Sequence, residues 1–167
     1  MEIVLTPPLS TVITKLAKEH GKDVYNFLVD IISEKIDPKT RIDIYIMLFK
    51  KLLTEAEKLE AQGDTVQASE KYWGAIAALL DIIGEKKKKP HYTHRDYWEI
   101  MNMIIDEMKD ESLAELFALA EKLHSNFYHD FIPRHQFKIY SRKIKILIKK
   151  LISYVERLGI KIYEQEK

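Results

Sequence analysis

The sequence predicts an all-α protein: an up-and-down bundle of five helices over residues 37–167, preceded by a short strand-helix-helix arm over residues 1–36. Three observations lead there. Apolar residues recur at helical spacing in stretch after stretch. Gly and Pro number only five each, so helical runs are long and seldom interrupted. The breaks that do occur, "IDPKT", "QGD", "KKKKPHYT" and "FIPR", carry the residues that stop one helix and start the next.

Element by element, "MEIVLT" alternates Ile3 and Leu5 with Glu2, Val4 and Thr6 and reads as a short strand ended by Pro7-Pro8. A helix from Ser10 or Thr11 to His20 carries Val12, Ile13, Leu16 and Ala17, and Gly21 closes it in the left-handed conformation. A second, from Val24 to Ile36, carries Val24, Phe27, Leu28, Ile31 and Ile32. Asp37 then caps a long helix from Pro38 to Gln62, with Tyr45, Leu48, Phe49, Leu52, Ala56 and Leu59 on one stripe. Asp64 caps the next, with Gln67 as the reciprocal partner of a capping box and a stripe of Ala68, Tyr72, Ala75, Ile76, Leu79 and Ile83. Thr93 caps a helix carrying Tyr97, Met101, Ile104 and Met108, and Asp110 one carrying Leu113, Leu116, Phe117, Ala120 and Phe127. The last helix runs to about Leu158 with Tyr140, Ile144, Leu147, Ile148, Leu151 and Val155 inward.

Composition narrows the chemistry. The chain of 167 residues is 46% apolar and 32% charged, the profile of a globular domain able to bury a sizeable core. It has no Cys, which excludes disulfides, thiolate nucleophiles and Cys-based metal sites and points to the cytoplasm. Twenty-seven Lys and Arg balance 26 Asp and Glu, so nucleic acid would have to be attracted by local asymmetry. Apolar runs are far shorter than the roughly 20 residues that cross a bilayer, and no signal-peptide core is visible, so no membrane association is expected.

With "GDTVQASEKYWGAIAALL" and "AEKLHSNFYHDF" in hand, the chain resembles the archaeal PaREP family over most of residues 37–155. The likeness rests on the helix entry "IDPKTRIDIYIMLFKKLLTEAEKLEAQGD", on Gln67-Ala68-Ser69-Glu70-Lys71 with Trp73 and Gly74, and on Leu123-His124 with Asn126-Phe127-Tyr128. It implies a HEPN-like bundle, a group spanning RNA-cutting toxins, helper subunits of small nucleotidyltransferases and members without known activity. "IVLTPPLSTVITKLAKEHGKDVYNFLVDII" is similar to ribbon-helix-helix modules, which dimerise through a strand whose outward residues, here Glu2, Val4 and Thr6, face the DNA major groove. Glu2 repels phosphate and Val4 makes no hydrogen bond, so a dimerising or docking arm fits better than a DNA reader.

HEPN ribonucleases place an Arg about four to six residues before a His. This chain has no such pair, and Lys122 with His129 is its nearest imitation, lacking the bidentate guanidinium. His124 and His129 lie about 140° apart around a helix and do not converge. His124 follows the buried line of Leu113, Phe117 and Ala120, whereas His129 follows Lys122 and Asn126 on the outer face. His124 therefore reads as a core histidine with a polar partner, with Asn126 and Tyr128 securing the helix end. The competing reading is a small polar pocket of Gln67, Glu70, Lys71, His124, Asn126 and Tyr128 between two helices. Gly74 requires a close approach, from a crossing helix or a ligand, and Trp73 beside it is either core or a dimer anchor.

Lys138, Arg142, Lys145 and Lys149 line one side of the last helix as a solvated face or a phosphate-binding track, and Lys86 to Lys89 form a second basic cluster. His91 and His94 lack a third ligand, so neither metal nor other cofactor is expected. The function expected is that of a non-catalytic, self-associating interaction module. Its partners would be a second copy, a protein such as a nucleotidyltransferase, or nucleic acid. The alternative is a divergent metal-independent ribonuclease using His124 or His129 with Lys122 and Tyr128.

Overall fold

The computed structural model describes residues 3–33 and 35–163. Seven helices are formed among them: α1 (Leu9–Glu19), α2 (Val24–Ser33), α3 (Pro38–Gln62), α4 (Thr65–Lys87), α5 (His94–Met108), α6 (Ser112–His129) and α7 (Arg134–Arg157). Most boundaries fall where the capping chemistry places them. Asp37 accepts from Thr40 N at 3.1 Å with Pro38 at the first helical position. Thr93 and Asp96 form a complete capping box. Asp64 accepts from Gln67 N at 3.0 Å, half of the expected reciprocal pair. Asp110 acts two residues ahead of α6, where its carboxylate takes Ser112 N at 3.2 Å and Ser112 Oγ at 2.6 Å. No helix among the described residues is long and apolar enough to cross a membrane.

The expected N-terminal strand is not formed. Residues 3–6 have no regular structure, and Glu2 lies outside the described residues. Alternation of apolar and polar residues suits a strand, but a strand also needs a neighbour to complete its ladder, and the described residues supply none. The arm differs in its faces too. α1 buries Ile13 and Ala17 but exposes Val12, while α2 buries Asn26, Phe27 and Val29 and exposes Ile31 and Ile32. α2 also ends at Ser33, short of Ile36, so that the chain has left the helix before the restricted position ahead of Pro38.

The centre of the molecule is α4, which packs on α3, α5, α6 and α7 and also meets α2. Every residue from Ala68 to Gly84 except Lys71 is buried. A single apolar stripe was expected. Apart from Asp81 the run "WGAIAALLDII" is apolar all round, as suits a helix enclosed by neighbours, and each buried Leu or Ile contributes about 1.5–3 kcal/mol. Trp73 is wholly buried and is therefore core, with no surface to offer as a dimer anchor. Gly74 lets α3 cross closely: a Cβ there would lie 3.0 Å from Leu52 Cδ1 and 3.3 Å from Asp23 Cβ.

α1 and α2 have a small core of their own, Ile13, Ala17 and Phe27, while Val29 of α2 joins the main core and polar contacts add to the attachment. Trp73 Nε1 donates to Gly21 O at 3.0 Å and Asn26 Nδ2 to Gly74 O at 3.1 Å. Gly21 has the expected left-handed φ of 63°, and a Cβ on it would sit 1.8 Å from the His94 ring. Gly21→Ala is therefore expected to cost about 2 kcal/mol or more, through both strain and displacement of His94, in urea unfolding followed by circular dichroism. Unchanged stability would contradict this docking of the arm.

Candidate functional site

Polar side chains on an enclosed helix must find partners within the protein, and α4 does so at two places. The first surrounds Trp73. Glu70 lies one turn before it, and its carboxylate hydrogen-bonds His124 Nδ1 of α6 at 3.1 Å. His94, at the start of α5, pairs in the same way with Glu121 of α6 at 3.0 Å. The Trp73, His94 and His124 rings form a triangle with centroids 4.9–5.3 Å apart, both imidazoles nearly parallel to the indole. Tyr128, one turn beyond His124, meets it edge-on at 5.2 Å, and burial pushes its hydroxyl up to about 12. The arm closes the site: Gly21 lies against His94, and Lys18 stands over the Tyr128 ring at 4.5 Å.

Of the six residues expected in a pocket, Glu70, His124 and Tyr128 come together. Lys71 turns to Glu55 at 2.9 Å, and Gln67 is exposed at the helix start. Asn126, expected on the outer face, is wholly buried. Its amide donates to Ser69 Oγ at 3.1 Å and accepts from Phe131 N and Ile132 N at 3.0 and 2.8 Å, which fixes the turn into α7. Trp73, His94, Glu121 and Gly21 had not been placed in this site. A helix position one turn from Glu70 pointed to Trp73, but His94 arrives from another element and its spacing carries no such signal.

His124 is 7% exposed and His129 is on the surface, so the two imidazoles face different environments. Lys122 donates to Tyr140 Oη at 3.2 Å, away from both. His124→Ala is expected to lower stability by about 1–3 kcal/mol, because it leaves the buried Glu70 carboxylate unpaired, while His129→Ala should cost under about 0.5 kcal/mol. Thermal melting of the two variants side by side checks this. Equal melting temperatures would remove the structural role of His124.

The second place is Asp81. Lys22, 2% exposed, reaches from the α1–α2 turn into the bundle, with its Nζ 2.7 Å from Asp30, 3.1 Å from Asp81 and 2.7 Å from His91 O. Tyr97 Oη donates to Asp81 at 3.0 Å and Tyr45 Oη to Asp30 at 2.9 Å. No spacing in the sequence brings these residues together, although the Asp inside "AALLDII" signals a buried polar group. Burial pushes the Asp81 carboxyl up to about 6 from its ordinary 3.8, with the Lys22 ammonium opposing. A carboxyl whose folded value is raised binds its proton more tightly in the folded chain, so its contribution is full below pH 3.8 and is lost as pH rises through about 6. Wild-type stability relative to Asp81→Asn should therefore fall between about pH 4 and about pH 6.5 in urea titrations. A pH-independent difference would mean that Asp81 is as easily ionised in the folded chain as in the unfolded one.

The bundle's central stretch, residues 44–148, matches the model of the archaeal PaREP1/PaREP8 family. The chain belongs to that family. No curated protein and no solved structure matches it. In this PaREP1/PaREP8 chain the matched stretch includes Glu70, Trp73, His94, Glu121, His124 and Tyr128, whereas the arm that covers them lies outside it.

The basic stripe of α7 is only partly free. Lys138 and Lys149 are exposed. Arg142 is exposed as well, with Nε donating to Lys138 O at 3.0 Å. Lys145 pairs with Glu60 at 2.9 Å, beside the hydroxyls of Tyr72 and Ser141, which donate to the same carboxylate. Burial raises Glu60, but these hydrogen bonds outweigh it and hold the carboxyl below its ordinary value. Among the described residues no group of three or more metal-binding side chains gathers, and His91 and His94 diverge: His91 Nδ1 donates to Lys89 O and His94 turns to Glu121.

Proposed function

We propose that this PaREP1/PaREP8 chain is a non-catalytic interaction module, a HEPN-like bundle (residues 37–167) that self-associates through its arm (residues 1–36). The observation that carries the reading is the apolar surface of the arm. Ile3 and Val4 are 75% and 72% exposed, and Leu9 and Val12 on α1 about half exposed. Leu9, Val12 and the half-buried Leu16 follow three- and four-residue steps and continue, on its exposed edge, the apolar face that buries Ile13 and Ala17. Contiguous exposed apolar surface of this kind marks an association site.

The occupant proposed is a second copy of the chain. Lys15 and Glu19 flank the stripe as a pair of opposite charges 3.8 Å apart. A two-fold axis near Val12 that sets α1 against an antiparallel α1 brings Val12 against its own copy and Leu9 against Leu16 of the other copy, leaving the charged pair at the rim. Side-chain burial thus replaces the strand pairing expected from the sequence as the basis for association. The ribonuclease reading has less support, because His124 is enclosed and paired, and Lys122 reaches away from His129.

Light scattering at tens of micromolar protein is expected to give a dimer for the wild type. Leu9→Glu with Val12→Glu should return a monomer of unchanged melting temperature, since both positions are exposed. A monomeric wild type would overturn self-association. Metal-independent cleavage of single-stranded RNA that disappears in His129→Ala at unchanged stability would favour the ribonuclease instead.

A further inference from the structure

The lysine-rich end of the bundle, where α4 stops, forms a groove that none of the preceding functional reading uses. α4 ends on Lys88, whose left-handed φ of 54° turns the chain sharply outward into Lys89-Pro90. The start of α3 and the segment after α7 close around this turn. Two adjoining depressions result, of about 450 Å³ and 560 Å³, which share Pro38, Glu85 and Lys88. Lys39, Lys86, Lys88, Lys89 and Lys161 line them, and all five are exposed. The acids among the lining residues are Asp43 and Glu85, and Glu85 is neutralised by Arg41 at 2.7 Å. Among the described residues the ion pairs at this end join Arg41 and His91 to Glu85 and Lys87 to Glu107, and none involves the five lysines. Five like charges around one groove repel one another, and a polyanion relieves that repulsion while releasing its own counterions.

An aromatic platform stands in the same groove. Tyr92 is 43% exposed and stacks on His91 with ring centroids 4.6 Å apart. His91 is itself held rigidly: its Nδ1 donates to Lys89 O at 2.9 Å, and its ring is seated so close to Gly84 that a Cβ there would lie 2.8 Å from its Cγ and Nδ1. Its Nε2 is buried beside the groove with no hydrogen-bond partner among the described residues, 3.8 Å from Glu85. A fixed, accessible ring among cations suits an unpaired base flanked by phosphates, whereas a duplex keeps its bases stacked and would meet only the charge. On the α7 stripe Lys145 is already paired with Glu60.

We infer that this end of the bundle binds single-stranded nucleic acid, with the backbone phosphates on the lysines of the groove and a base stacked on Tyr92. The site is separate from the apolar arm and goes beyond self-association. It also moves the nucleic-acid surface away from the α7 residues that the sequence singled out.

Fluorescence anisotropy with a labelled twelve-nucleotide oligo-uridine tests it on the full chain. Binding at about 50 mM salt should weaken about tenfold or more by about 200 mM. Lys88→Glu with Lys89→Glu should lose tenfold or more, and Tyr92→Ala about fivefold or more, with Tyr92→Phe restoring wild-type affinity. Lys138→Glu with Lys149→Glu should change binding less than about threefold, because those residues lie on another surface. Because Lys88 and Lys89 are exposed, their double variant should melt like wild type and locate the site even if Tyr92→Ala disturbs His91. Absence of binding at low salt, an equal loss in the α7 variant, or equal affinity for heparin or poly-glutamate of matched charge would each overturn the proposal.

Discussion

The enclosure of α4 is the constraint on which the rest of the molecule depends. A helix surrounded on every side leaves its polar groups no access to water, and an unpaired buried carboxylate or hydroxyl costs on the order of several kcal/mol. Glu70, Ser69 and Asp81 are the polar residues it buries, and each has recruited a partner from another element: His124 and Asn126 from α6, Lys22 from the arm, Tyr97 from α5. The two glycines within α4 follow from the same crowding. Gly74 admits Leu52 and Asp23, and Gly84 admits the His91 ring. The Glu70–His124 pair is in this light hydrogen bonding demanded by a helix with no outer face, while His94–Glu121 ties α5 to α6 beside it.

Lys22 shows how the same constraint couples the arm to the bundle. One buried ammonium faces two carboxylates, Asp30 of the arm and Asp81 of α4. Such an arrangement adds little net stability over an apolar contact of the same volume, but removing one member leaves the others uncompensated. Its consequence is specificity of position: the α1–α2 turn and the start of α2 dock where Lys22, Gly21 and Asn26 each meet a defined partner. Neither the arm's own core nor Val29's seat in the main core uses every apolar residue of the arm, and Leu9 and Val12 on α1 and Ile31 and Ile32 at the end of α2 stay exposed.

The surface thus divides into parts of different character. The arm is apolar and flanked by an opposite-charge pair. The end where α4 stops is cationic and carries a rigid aromatic. α7, despite its run of lysines, spends Lys145 on Glu60 and Lys150 on Asp110. The difference between a basic stripe and a basic site lies in which cations have an acidic neighbour within reach, and that is set by helices distant in the chain.

Helix number, order and most termini were legible in the sequence because they rest on local chemistry. Asp37-Pro38, the Thr93-Asp96 box and the left-handed Gly21 and Gly63 act within a few residues of themselves. His124 on the inner face and His129 on the outer follow from one helix's periodicity. The placement of Asn126 did not follow, because its burial depends on a turn whose amides it binds. The alternation in "MEIVLT" is legible, but residues 3–6 hold no strand, because a ladder needs a second strand that no local pattern supplies. That His94 would reach Glu121, that Lys22 would enter the core, and that Lys145 would be consumed by Glu60 were decided only by tertiary packing. Each joins residues far apart in sequence, and which carboxylate a cation meets depends on helix crossings that one-dimensional periodicity does not encode.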